Sequence, residues 1–127
     1  MNKNFLSIAA LLGALSVVLG AFAAHKLREM VSPDSVAIFE TGVRYQFYHV
    51  FALLVVAMLS EKFSNKSMIW AGNCFITGII LFSGSLYLLT ALKAESVSMK
   101  YVGAVTPIGG LFFIAGWLFL LMGVTKK

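Results

Sequence analysis

The sequence predicts an all-α integral membrane protein, with four transmembrane helices packed as a bundle. Its composition is the first indication: of 127 residues, 60% are hydrophobic and only 12% are charged. A soluble domain has about 45–50% apolar and about 25% charged residues, and a chain of this length cannot bury so much apolar surface in water. The second indication is four long stretches without Asp, Glu, Lys or Arg. Together they exclude a soluble enzyme, a disordered chain and a nucleic-acid-binding protein.

Three of the four uncharged stretches are long enough by themselves to cross a bilayer as helices, and the second becomes so when charged residues at its ends are included. About 20 apolar residues, rising about 1.5 Å each, span a hydrocarbon core of about 30 Å. The predicted spans cover residues 5–24, 44–62, 67–92 and 101–125 of one membrane domain, 1–127. The second span is the shortest apolar run, so its ends include charged side chains that can snorkel to the headgroups. The first span resembles a signal peptide, but its length favours a retained helix.

The residues before the second span predict an amphipathic helix at the membrane interface, over about 33–43. Ser32 is a capping residue, Pro33 suits a first helical turn, and Asp34 is favoured at the positive end of the helix dipole. Apolar residues then recur every three or four positions towards the second span. A continuous helix over 33–62 would be about 45 Å long. It must therefore tilt or bend, and Gly42 is the position where a bend costs least.

Four spans place both termini on the same side of the membrane, here called the terminal side. The basic residues on this side are Lys3, Lys62, Lys66, Lys126 and Lys127, and those on the opposite side are Lys26, Arg28, Arg44, Lys93 and Lys100. This division is even, so the positive-inside rule does not decide the orientation. Fewer acidic residues lie on the terminal side. The net charge therefore favours cytoplasmic termini.

Small and polar residues within the spans predict close contacts between helices. In the fourth span, Gly109, Gly116 and Gly123 recur at seven-residue intervals and so share one helix face. The glycines predicted to pack are Gly13, Gly20, Gly84, Gly109, Gly110, Gly116 and Gly123. Polar residues of the third span predicted to form hydrogen bonds between helices are Asn73, Thr77, Ser83, Ser85 and Tyr87. The glycine faces either close the bundle itself or bind a second copy or another membrane protein.

Polar and ionisable residues at membrane depth are the main candidates for function. The candidate ligand-binding cluster comprises His25, Glu40, Thr41, Arg44, Tyr45, Gln46, Tyr48 and His49. One interpretation is structural: Glu40 and Arg44, four residues apart, form an ion pair, and the tyrosines belong to an interfacial aromatic belt. The other is functional: Arg44 holds a phosphate or carboxylate and His49 moves a proton.

No catalytic residue, metal or cofactor is predicted. His25 and His49 can in principle ligate a haem, but the C-x-x-C-H attachment motif is absent and no carboxylate lies at metal-ligand spacing. The chain also lacks the nucleophile-elbow, zinc-protease, P-loop and dinucleotide-binding motifs. Its single cysteine, Cys74, cannot form an internal disulfide. The basic residues form no run with interleaved aromatics, so no nucleic-acid partner is expected.

Five motifs, in order along nearly the whole chain, resemble those of the small bacterial membrane proteins of domain-of-unknown-function family 423. The motifs are Gly20–His25, Thr41–His49, Phe82–Tyr87, Thr106–Gly110 and Gly116–Trp117. The mammalian transmembrane protein 256 is similar to this family. The family often has glycine where this chain has Ala23, which is also small. The resemblance implies a four-helix membrane protein without an established activity, and it supplies no catalytic residues.

Three hypotheses about function follow. The first is a non-enzymatic interaction or accessory protein in the bacterial cytoplasmic membrane, acting as a homo-oligomer or with a membrane-protein partner. The second is a carrier or binder of a small anionic or lipid molecule at the polar cluster near the interface. The third is an intramembrane enzyme or haem protein that uses His25 and His49.

Overall fold

The computed structural model describes residues 1–94 and 100–126, in which helices are joined by short turns. The α-helices are α1 (Lys3–Ala24), α2 (Lys26–Met30), α3 (Pro33–Leu59), α4 (Lys66–Gly78), α5 (Gly84–Ala94) and α6 (Lys100–Thr125). A π-helical segment, Ile79–Ser83, connects α4 to α5 without a break. Within these residues, four helices are long and apolar enough to cross a bilayer: Lys3–Ala24, Pro33–Leu59, Lys66–Lys93 and Val102–Thr125. The all-α membrane fold predicted from the sequence is confirmed. Lys127, one of the basic residues compared above, lies outside the described residues.

Side-chain caps fix the starts of three helices. The Asn2 side chain caps α1 by accepting a backbone N–H from the first turn. The Ser32 hydroxyl accepts the N–H of Ser35 at 3.3 Å, which starts α3 where the sequence pattern indicates. The Asn65 side chain caps α4, and its amide also donates to the Gly123 carbonyl at 3.0 Å. This last bond ties the turn between α3 and α4 to the end of α6.

Helix α3 continues from the amphipathic stretch over 33–43 into the membrane-spanning residues without a break. It ends at Leu59 rather than at Lys62, the predicted end of the second span. The reason is local: the amides of Ser60 and Phe63 donate to the last helical carbonyls, and the chain then turns towards the cap of α4. The second membrane-length helix is therefore Pro33–Leu59, and its first turns belong to the packed structure.

Helix α3 lies at the centre of the arrangement. It packs against α1 on one side and against α4, the π-helical segment and α5 elsewhere, while α6 packs mainly against α4 and the π-helical segment. Half of the residues in the most apolar 18-residue stretch of α3 are buried. The corresponding share is 17% in α1 and 22% in the α6 span. Helices α1 and α6 are therefore peripheral and turn most of their surface outward.

Two apolar clusters hold the helices together. The larger joins α1, α3, α4 and α6, and Leu53, Val56 and Phe75 at its centre are completely buried. The smaller, around Leu27, joins the end of α1 and the short helix α2 to the first turns of α3. Because lipid tails are as apolar as these side chains, close packing rather than exclusion from water stabilises helix contacts inside a bilayer.

Three glycines of α6 allow this helix to approach its neighbours closely. An ideal Cβ placed on Gly109 lies 2.7 Å from the Cα atom of Phe82, and one on Gly116 lies 2.6 Å from the ring of Phe75. A Cβ on Gly123 meets the sulfur atom of a buried methionine at 2.5 Å. These distances are shorter than van der Waals contact. The stripe with seven-residue spacing is therefore filled from within the protein.

The other glycines differ in how much space surrounds them. Cβ positions on Gly13 and Gly20 of α1 lie 3.5 and 3.6 Å from valine side chains of α3, which is ordinary packing. Gly42 faces the Tyr87 ring at 2.8 Å, so glycine there permits a close contact rather than a break in the helix. Gly84 is the exception among the glycines predicted to pack, because no atom of the described residues 1–94 and 100–126 lies within 4 Å of its Cβ position.

Candidate functional site

The predicted polar cluster is divided between the interior of the bundle and its outer surface. Gln46 and His49 are buried, whereas Arg44 and Tyr48 are exposed. The pocket expected to combine Arg44 with His49 is therefore not formed. His49 is the fifth residue after Arg44, and at 3.6 residues per turn the two side chains lie about 140° apart around the helix.

Both ring nitrogens of His49 make hydrogen bonds, one to α6 and one to a carbonyl of its own helix, α3. The indole N–H of Trp117 on α6 donates to Nε2 at 3.1 Å, so the ring proton is assigned to Nδ1, which donates to the Tyr45 carbonyl at 2.7 Å. The imidazole also stacks on the Phe113 ring, with centroids 3.5 Å apart and planes 7° apart. His49 thus connects α3 to α6 by one hydrogen bond and by ring stacking.

We expect His49→Phe to change the environment of Trp117, because the indole N–H then has no acceptor. In a Trp70→Phe background, in which Trp117 is the remaining tryptophan, fluorescence emission should shift and the free energy of unfolding should fall by about 1 kcal/mol. Tyr48→Phe, on the exposed face of α3, is the control and should leave the emission unchanged. An unaltered spectrum in His49→Phe would contradict the assigned hydrogen bond.

Gln46, midway along α3, connects three helices. Its Nε2 donates to the Leu12 carbonyl of α1 at 3.0 Å, and its Oε1 accepts the Tyr87 hydroxyl of α5 at 2.6 Å. Nearby, the Ser83 hydroxyl donates to the Gly42 carbonyl at 2.7 Å. Among the residues that the structure describes, every buried side-chain nitrogen or oxygen has a hydrogen-bond partner.

The polar residues of the third span have different environments. Ser83, Tyr87 and Ser85 form hydrogen bonds to other helices, and the Ser85 hydroxyl lies 2.6 Å from that of Thr106 on α6. Asn73, by contrast, is exposed on the outer surface of α4. The prediction of interhelical hydrogen bonds therefore holds for three residues, all in or after the π-helical segment.

The remaining candidate residues, His25, Glu40 and Thr41, lie near the membrane boundary opposite the terminal side. His25 follows the end of α1, with Nδ1 2.9 Å from a carbonyl of the preceding turn, and the Thr41 hydroxyl donates to a carbonyl of its own helix. Glu40 does not pair with Arg44 as the sequence interpretation supposes. Its carboxylate lies 3.6 Å from the Arg28 guanidinium, because α2 brings Arg28 beside the first turns of α3.

Tyr45 and Tyr48 form an aromatic pair at the edge of α3. Their ring centroids are 5.6 Å apart, and Tyr45 also packs on the Phe82 ring at 4.7 Å. Tyr45 therefore belongs partly to the contact with the π-helical segment, whereas Tyr48 is half exposed. Of the cluster residues on α3, Arg44, Tyr45 and Tyr48 are exposed at the outer surface.

The π-helical segment Ile79–Ser83 was not predicted from the sequence. Here the helix places Ser83 against the Gly42 carbonyl and the backbone of Phe82 against Gly109. Such segments occur mostly as local departures from α-helices. Its sequence, IILFS, contains no helix breaker, so only the packing against α3 and α6 reveals it.

The fold and the buried polar contacts define a multi-pass membrane protein whose helices are joined by close glycine contacts and interior hydrogen bonds. The chain belongs to the family described as "Protein of unknown function (DUF423)", whose model matches residues 19–110. This confirms the resemblance seen in the motifs.

Curated relatives match almost the entire chain. It is 38% identical to the UPF0382 membrane protein YwdK of Bacillus subtilis, over 98% of both chains. It is 40% identical to a UPF0382 membrane protein of Haemophilus influenzae, over 100% of this chain and 98% of the other. The UPF0382 inner membrane protein YgdD of Escherichia coli is 34% identical, over 99% of this chain and 93% of the other. No solved structure matches.

Proposed function

We propose that the protein is a non-enzymatic accessory protein of the bacterial cytoplasmic membrane that binds a transmembrane helix of a second copy or of another membrane protein. The observation that carries this proposal is an open groove between α5 and α6, here called the α5–α6 groove. It has a volume of about 300 Å³ and is lined by Ile80, Leu81, Gly84, Ser85, Leu88, Val102 and Val105.

One glycine of the lining, Gly84, makes this groove suitable for a close helix contact. Among the residues that the structure describes, no atom lies within 4 Å of the Cβ position of Gly84, whereas the stripe of Gly109, Gly116 and Gly123 is filled by α4 and the π-helical segment. Small residues at a membrane-exposed surface let a second backbone approach, which favours association in lipid. The α5–α6 groove is therefore the surface to which we propose that a transmembrane helix of another molecule binds.

The interior supports a structural rather than a catalytic role for the candidate residues. Both ring nitrogens of His49 are hydrogen-bonded, one to α6 and one within α3, and Gln46 uses both amide atoms in hydrogen bonds to neighbouring helices. A general acid or base must reach a substrate proton, and these groups are occupied by contacts within the protein. We therefore propose that the protein acts through its surface and not through these buried residues.

Adding bulk in the groove tests the proposal. Wild-type protein in lipid nanodiscs or mild detergent should form a discrete oligomer or co-purify with a membrane partner. Gly84→Leu should weaken this association by about tenfold or more, since even about 1.4 kcal/mol of lost contact has that effect. Ala14→Leu adds similar bulk on the exposed face of α1 and should have no effect. A monomer without any partner, or equal association in both variants, would contradict the proposal.

A second candidate function is the binding of an anionic or lipid molecule near the opposite boundary. The exposed Arg44 on the outer face of α3 favours it. An arginine on a membrane-spanning helix normally faces the interior or reaches an anionic partner. Variants of the α5–α6 groove should leave this binding intact, so the two functions can be distinguished.

A further inference from the structure

We propose that a cavity at the opposite membrane boundary binds the phosphodiester group of an anionic phospholipid. The cavity has a volume of about 320 Å³, lies between α2 and the first turns of α3, and is lined by Arg28, Val31, Pro33, Val36, Ala37 and Glu40. This inference deepens the second candidate function. It does not depend on the α5–α6 groove, with which the cavity shares no lining residue.

The position of the cavity corresponds to the headgroup region. Helix α1 ends at Ala24, and the next helix, α2, packs through Leu27 against Val36 and Phe39 of α3. The charged residues of α2 project around this contact and are exposed. The cavity therefore lies at the level where the apolar part of α1 gives way to charged residues.

The charges around the cavity favour an anion. The Arg28 and Glu40 side chains pair loosely at 3.6 Å and remain 63% and 40% exposed. Arg44 follows Glu40 by one helical turn, about 6 Å further into the membrane. It takes part in none of the salt bridges found among the described residues. The two charged lining residues, Arg28 and Glu40, balance each other, and Arg44 beside the cavity adds one positive charge, which matches a phosphodiester.

Guanidinium chemistry suits this ligand. The planar array of N–H donors on arginine matches phosphate oxygens and can bind two of them at once. Arg44 is deep enough that its charge is costly in lipid, yet its side chain is long enough to reach the boundary. A phosphate at the cavity would neutralise Arg44 without requiring a buried carboxylate from another protein.

The surface beyond Arg44 suits the acyl chains of the same lipid. Along the outer face of α3, towards the terminal side, Tyr48, Phe51, Val55 and Met58 are 51%, 59%, 39% and 53% exposed. They follow one another at intervals of three or four residues and so form one stripe on the helix. A molecule with an anionic head and apolar chains covers both the cavity and this stripe, whereas a free phosphate would contact only the cavity.

Native mass spectrometry of the full-length protein with phosphatidylglycerol tests this site. Arg44→Gln and Arg28→Gln should each raise the apparent Kd by about fivefold, the effect of losing about 1 kcal/mol per arginine near a lipid headgroup. Lys3→Gln, which removes an exposed cation at the other boundary, is the matched control and should leave the Kd unchanged. Helical circular dichroism should be the same in all variants.

A variant that is expected to lower the Kd complements the two variants that are expected to raise it. Glu40→Gln removes the carboxylate that competes for Arg28, so phosphatidylglycerol should bind more tightly, by a similar factor. Phosphatidylcholine should bind more weakly than phosphatidylglycerol. The proposal is overturned if Arg44→Gln behaves like Lys3→Gln, if Glu40→Gln weakens binding, or if the two lipids bind equally. Complete displacement of phosphatidylglycerol by millimolar inorganic phosphate would also overturn it and would indicate a site for free anions.

Discussion

Gly109→Ala should destabilise the protein more than any other single added methyl group on α6. The new Cβ would lie 2.7 Å from the Cα atom of Phe82 and would also meet the backbone nitrogen of that residue. Backbone cannot move aside as a flexible side chain can, so α6 and the π-helical segment must separate. We expect the free energy of unfolding to fall by about 2–3 kcal/mol, the range for an overpacked site. Thermal or denaturant unfolding in detergent measures this.

The neighbouring glycine provides a matched control. A Cβ on Gly110 finds its nearest neighbour, an atom of the Phe82 ring, at 3.9 Å, which is ordinary contact. Gly110→Ala should therefore be neutral or should stabilise the helix by up to about 1 kcal/mol, because alanine is the better helix former. Equal stability of the two variants would show that α6 and the π-helical segment are not in contact at Gly109.

Gln46→Leu is expected to have the second large effect. The substitution removes the acceptor of the Tyr87 hydroxyl and one of the donors to the Leu12 carbonyl, inside the helix bundle. An unsatisfied buried polar group costs about 1–3 kcal/mol, so we expect a loss of about 2–3 kcal/mol in the free energy of unfolding. Asn73→Leu makes the same kind of change at an exposed amide and should not destabilise the protein.

A double-mutant cycle isolates the contact between α3 and α5. Tyr87→Phe alone leaves the Gln46 carbonyl oxygen without its hydroxyl donor. The combined Gln46→Leu and Tyr87→Phe variant has neither polar group, so its cost should be smaller than the sum of the single costs. The expected coupling is about 0.6 kcal/mol, the average measured for hydrogen bonds between membrane helices, and at most about 1.7 kcal/mol. Strict additivity would contradict the bond.

Much of the fold could be predicted because a bilayer allows few solutions. Backbone groups in lipid must form hydrogen bonds within the segment, so an uncharged run of sufficient length is a helix. The seven-residue spacing of Gly109, Gly116 and Gly123 also indicated a contact face. The spacing did not show which element packs against this face. In the structure α4 and the π-helical segment fill it, whereas Gly84, which is also a glycine in a predicted span, lies beside open space.

The candidate site was harder to predict, because polar residues close in sequence point in different directions on a helix. His49 and Gln46 turn towards neighbouring helices, while Arg44 turns outward. The pairing of Glu40 with Arg28 depends on α2, a helix of 5 residues whose position against α3 follows from tertiary packing. The cavity near these residues likewise had no signature in the sequence.

Single-cysteine labelling tests most directly whether four crossings place these sites as described. In a Cys74→Ser background, Ser64→Cys and Lys126→Cys should react with a membrane-impermeant maleimide from one side, and Met30→Cys and Lys93→Cys from the other. With cytoplasmic termini, as the charge balance favours, right-side-out vesicles should label only the second pair. Labelling of Ser64→Cys and Met30→Cys from the same side would contradict the four-helix topology and, with it, the positions of the groove and the cavity.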